Sequence, residues 1–123
     1  MENKISKNLL GQTISLSSLI DYQAGSVVSR EILKKINGSI TLFAFDEGEG
    51  LSEHTAPFDA VAHILEGEAE IKLSGKSNNL KIGEMIIMPA GEPHSVKSAE
   101  TQKFRSSGRK ISLFSKCFCS TRP

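Results

Sequence analysis

A chain of 123 residues has room for one domain and can bury one continuous core without disulfide or metal staples. An apolar share of 38%, a charged share of 24% and a formal net charge of +1 leave no whole-molecule field to steer it to nucleic acid or acidic lipid. No run approaches the ~20 apolar residues of a membrane span, and the N-terminus MENKISKNLLGQ has neither a long apolar h-region nor a small-residue cleavage pattern, so a cytoplasmic location is expected.

In chain order, residues 1–25 read as a polar N-terminal arm in which Leu16, Leu19 and Ile20 make one helical turn or an extended piece. From Ser26 the pattern changes. SVVSREIL and SITLFAFD are β-branched and aromatic, and Asn37-Gly38 between them is a hairpin signal. Further strands are expected at AVAHIL, EAEIKLSG, MIIM and HSVK. The pieces Glu66-Gly67-Glu68, Gly75-Lys76-Ser77-Asn78-Asn79 and Pro89-Ala90-Gly91 between them read as turns. Short strands at close spacing, with no helical period of any length, imply an all-β sandwich or barrel over residues 26–115, followed by a tail over 116–123. Ile40, Leu42, Phe43, Phe45, Phe58, Ile64, Leu65, Ile71, Leu73, Ile86, Ile87 and Met88 supply its expected core.

Two glycine-bounded segments carry a more specific signal. Gly48 is followed after five residues by His54-Thr55-Ala56, after three more by Ala60, and after six more by Gly67. Gly83 is followed after five residues by Pro89-Ala90-Gly91, after two by His94, and after three by Ser98. Over residues 38–98 this resembles the two motifs of the cupin superfamily, in the small single-domain, type 2 conserved-barrel subgroup. The resemblance implies a jelly-roll-like double-stranded β-helix. Gly48, Gly67, Gly83 and Gly91 then serve as turn residues, and Pro89 closes its strand where no amide donor is needed.

The resemblance also implies a metal held by two histidines and a glutamate from the first motif and a histidine from the second. This chain keeps His54 and His94 of that set, with Ala56 and Ala60 at the other two positions. Two imidazoles alone hold a divalent transition metal weakly, because catalytic sites usually supply three protein ligands. His54 and His94 are therefore expected as polar anchors on facing walls of a pocket and as possible metal ligands, with His63 a weaker candidate. Asp59 and His63 have the parity opposite to Ala60, so without a bulge they point away from the lumen. Glu53, Thr55 and Ser95 flank the two histidines. No Ser-His-Asp pattern, phosphate-cradling loop or paired acid–base carboxylates stand out.

The final segment TQKFRSSGRKISLFSKCFCSTRP has six basic residues and no acidic one. It reads either as a basic tail for an acidic partner or as an altered last strand rebuilt from ISLF, with Phe114, Cys117, Phe118 and Cys119 as an apolar cluster that must pack or dimerise. Cys117 and Cys119 read as ordinary thiols. Three functions stay open: a small-molecule binding or sensing barrel, a metal-dependent enzyme of isomerase, decarboxylase or dioxygenase type, and a structural or regulatory dimer. A homodimer is expected in any of them, since the strand pair SVVSREIL and SITLFAF presents an edge that needs cover.

Overall fold

The computed structural model of the chain describes residues 9–36, 38–97 and 109–116, with the backbone alone at 109 and 114–116. Among these residues nine strands run in order: β1 (Val27–Lys35), β2 (Gly38–Phe45), β3 (Leu51–His54), β4 (Asp59–Glu66), β5 (Ala69–Leu73), β6 (Lys76–Leu80), β7 (Met85–Met88), β8 (His94–Lys97) and β9 (Arg109–Lys116). They form a five-stranded sheet ordered β1-β2-β9-β4-β7 and a four-stranded sheet ordered β3-β8-β5-β6. Every pairing is antiparallel. This is the all-β, double-stranded β-helix expected from the turn-rich sequence.

The core sits between the sheets because side chains alternate along each strand. Phe45, Ala60, Ala62, Ile64, Ala69, Ile71, Leu80, Met88 and Ile111 are buried together there. A second apolar layer lies on the outer face of the five-stranded sheet, where Leu42, Ala44 and Ile20 are buried against Leu16, Leu19, Val28, Ile32 and Leu65. The N-terminal segment forms that cover. Residues Leu16–Leu19 make one 3-10 turn, and Arg30 Nη1 donates to the Leu19 carbonyl. Lys110 Nζ donates to the Ser17 carbonyl at 2.7 Å. Asp46 anchors the entry to β1, its Oδ2 accepting from Gly25 N at 2.6 Å. Backbone donors at Gly25 and Glu47 hold its carboxyl below the usual aspartate value.

Three expectations need correction. Lys76–Asn79 is not a turn but most of strand β6: the reversal takes only Ser74 and Gly75, both at positive φ, which is the geometry of a two-residue hairpin loop. The polar letters of KSNNL hide a strand in which Asn78 Nδ2 donates to the Ile71 and Lys76 carbonyls. Ile87 is not core but 54% exposed, since it points outward from the short edge strand β7. The short strand β3 went unread, because LSEH has no alternation to betray it.

Gly48, Gly67, Gly83 and Gly91 all take positive φ, and Pro89 directly follows β7. Gly50 matters for a different reason: a Cβ there would collide with the carbonyl oxygen of Val96 on β8, so β3 approaches β8 only over a glycine. The segment ISLF lies within β9, at the centre of the larger sheet. Asn37, Ser98, Cys117, Phe118, Cys119, the Ser-Ser-Gly break and the Phe114 side chain fall outside the described residues.

Candidate functional site

The site begins with a register. β3 pairs with β8 so that His54 stands directly across from His94. The two imidazoles are therefore neighbours on adjacent strands of one sheet, not residues on facing walls. Their ring centroids lie 4.4 Å apart, edge to face. A shift in register between Leu51 and His54 breaks simple alternation in β3, which lets Leu51 and His54 line the same cavity.

Each ring is fixed by its own strand. His54 Nδ1 lies 2.9 Å from the Ser52 carbonyl, and His94 Nδ1 lies 3.2 Å from the Glu92 carbonyl. A carbonyl only accepts, so each neutral ring carries its proton on Nδ1 and keeps the Nε2 lone pair free of it. His94 is buried, at 8% exposure. Burial is the main cause holding its pKa below the ordinary histidine value; the Glu92 carbonyl opposes that shift and the neighbouring His54 adds to it.

Behind the pair is a cavity lined by Phe43, Phe45, Ala62, Ile71 and Met88, among other apolar side chains. Its free volume is about 40 Å³, space for one or two water-sized groups, since a liquid water occupies about 30 Å³. His54 and His94 are the polar side chains on its wall. Neither Asp59 nor His63 joins them. Asp59 Oδ1 accepts from Ala90 N at 2.9 Å, which ties β4 to the turn after β7. His63 takes the outward parity of β4, across from Met85 and Ser112. Glu53 and Thr55 are exposed, and Ser95 is half-buried on β8.

A cupin-domain family model matches residues 41–106, more than half of the chain. The chain belongs to the cupin family. Among solved structures, this cupin is similar to a conserved protein of unknown function from Streptococcus pyogenes, with 26% identity and a TM-score of 0.76 across 87% of this chain and 88% of that one. It is also 32% identical to a cupin 2 conserved barrel domain protein from Leptotrichia buccalis, with a TM-score of 0.76 over 84% of its own length. There it spans about half of the longer chain, 47%. A cupin superfamily protein from Desulfitobacterium hafniense shares the fold at 24% identity, with a TM-score of 0.76. No curated protein matches the sequence.

The donor set of this cupin does not fit the four-ligand metal that the family resemblance implies. Ala60 is buried where that resemblance places a carboxylate, and Met88 stands directly across from it. Among the described residues no three His, Cys, Asp or Glu side chains cluster as metal ligands. A hard divalent ion would bring two positive charges into an apolar cavity with no anionic partner among the described residues, a large desolvation cost.

Sequence reasoning missed Leu51, Ala62, Val96, Ile111 and Leu113 of the lining. Val96 was findable, since it lies two residues beyond His94 and shares its face; Leu51 was not, because the register shift precedes His54.

Proposed function

We propose that this cupin of undefined specificity binds a small molecule in its barrel pocket, with His54 and His94 as paired polar anchors. The observation that carries the reading is their direct cross-strand pairing at an apolar cavity, with both Nδ1 atoms satisfied by backbone carbonyls. Two Nε2 lone pairs then accept hydrogen bonds from one ligand, while Phe45, Ile71 and Ile111 contact its apolar part. The small volume admits a compact donor-bearing head group and leaves a bulkier remainder at the mouth, beside the exposed His54. Metal-dependent isomerase, decarboxylase or dioxygenase chemistry finds less support here, because among the described residues no carboxylate or third imidazole completes the set. A homodimer is part of the proposal, supported by the exposed Met85 and Ile87 on the edge strand β7.

Zn²⁺ serves as a probe of convergence, since two imidazoles sharing a site hold it weakly whatever the natural ligand is. In millimolar excess Zn²⁺ raises the melting temperature by binding the folded state. His54→Ala and His94→Ala each abolish the rise, and His63→Ala keeps it. Protein purified without a histidine tag carries substoichiometric metal that a chelator removes. Loss of the Zn²⁺ response in the His63 variant, with retention in the His54 variant, would sink the pocket reading.

A further inference from the structure

The turn that delivers His94 is gripped from outside the pocket. Between β7 and β8, Pro89 and Pro93 have no amide to donate, and each N–H group between them is committed. Ala90 N donates to Asp59 Oδ1 at 2.9 Å, Gly91 N to the Ala56 carbonyl at 2.8 Å and Glu92 N to the Pro89 carbonyl at 3.3 Å. On the other side the β5–β6 hairpin loop holds the same turn. Ser74 N donates to the Pro93 carbonyl at 2.8 Å, and Ser74 Oγ donates to Glu92 Oε1 at 2.8 Å. Ser74 makes these bonds at a φ of 50°, a conformation that residues other than glycine seldom adopt. The Glu92 carbonyl so placed stands 3.2 Å from His94 Nδ1. We propose that Asp59 is a positioning residue for the site: through Ala90 it fixes the Pro89–Pro93 turn, whose Glu92 carbonyl keeps the His94 proton on Nδ1.

Of the bonds that satisfy the turn's amides, the one to Asp59 is made by a side chain, so a single substitution cuts it. A carboxylate accepting from a backbone N–H makes a charge-assisted bond, about twice as strong as a neutral one. Without it Ala90 N has lost its partner, and the peptides from Ala90 to Glu92 are free to rotate the Glu92 carbonyl off the ring. A neutral imidazole places its proton according to the partner of each nitrogen. Loss of the acceptor at Nδ1 therefore releases the proton to Nε2 and takes that lone pair from the site. The β4 parity that turns Asp59 away from the lumen is what brings its carboxylate to Ala90.

The inference rests on the reading that His54 and His94 share a site with both Nε2 lone pairs free, and the test separates the two. In ¹⁵N-labelled full-length protein at about pH 8, where imidazoles are neutral, long-range ¹H–¹⁵N spectra report the tautomer of each histidine, assigned with His54→Ala, His63→Ala and His94→Gln. Parent His94 is expected in the Nδ1–H form. Asp59→Ala is expected to move it to the Nε2–H form and to raise the Zn²⁺ concentration for half of the melting shift about tenfold or more, the cost typical of losing an outer-shell partner. Asp59→Asn offers Ala90 N a carbonyl oxygen and is expected to restore both. His63, which faces outward, is expected to keep its tautomer throughout. Asp59→Val, β-branched and suited to a strand, cuts the same bond and serves where Asp59→Ala does not fold. If the His94 tautomer stays as in the parent, if Asp59→Asn does not restore it, or if it moves with no change in the Zn²⁺ response, the positioning role is overturned and the pocket stands. If parent His94 carries its proton on Nε2, both readings fall.

Discussion

His94 is the residue whose protonation the fold resists, and its consequence for stability has a definite sign. Its folded pKa lies below the unfolded value, chiefly through burial. Above about pH 8 the ring is neutral in both states and contributes no pH dependence. As the pH falls below about 6.5, the unfolded chain takes up a proton that the folded chain does not, so stability drops until the folded pKa is reached. Urea titrations at a series of pH values should show this acid-side loss in the parent and a shallower one in His94→Gln. An equal slope in both proteins would mean that another group carries the titration.

At the scale of elements, the N-terminal segment is fastened to strand β9 by one cation. Lys110 Nζ donates to Ser17 O at 2.7 Å, lies 3.4 Å from Glu66 Oε1 and sits 5.0 Å from the centre of the Tyr22 ring. Tyr22 Oη closes the cluster by donating to Glu66 Oε1 at 3.0 Å. The Lys110 side chain is 10% exposed and that of Glu66 47%, so the bond to Ser17 carries more of the interaction than the solvent-screened ion pair does. Lys110→Met keeps the aliphatic packing and removes the charge. It should cost about 1.5–3 kcal/mol, the range for a hydrogen bond to a charged group, with the urea m-value unchanged. A loss below about 0.5 kcal/mol, the size of an ordinary surface substitution, would show that the N-terminal cover is held by Ile20, Leu16 and Leu19 alone. One of the six basic residues that make the C-terminal segment look like a tail thus serves as a fastener inside the fold.

For the whole molecule, the described residues cover the outer face of the larger sheet over only part of its width. Beyond the N-terminal cover, Ile40, Val61 and Ile87 lie in one register row of the sheet, on β2, β4 and β7. Ile87 and Met85 are 54% and 53% exposed. An apolar row continuous with a buried layer suits a second copy of the same face, and β1 lies at the sheet edge beside it. Light scattering at high micromolar concentration should therefore report a dimer, and Ile87→Lys should shift it to monomer with little change in melting temperature. A monomeric parent would remove the dimer and leave this row as plain surface. Among the described residues no helix is long and apolar enough to cross a membrane.

Much of this was legible in the residues themselves, because it depends on local geometry. Glycine and proline spacing marked the turns, alternation set Ala60, Ala62 and Ile64 inward and His63 outward, and the positions of His54 and His94 singled out the pair. What only the tertiary structure decided was which surfaces meet. Ile20 became core because Leu42 and Ala44 turn toward it, and Ile87 became surface because no other described residue covers its side of β7; a run such as MIIM, apolar at every position, has no alternation to tell the two apart. The polar strand β6 is held by pairing with β5 rather than by its own composition. His54 and His94 became neighbours through the β3–β8 register, a long-range pairing that no local period encodes, and the same pairing explains Gly50, which needs no side chain because Val96 already fills the space.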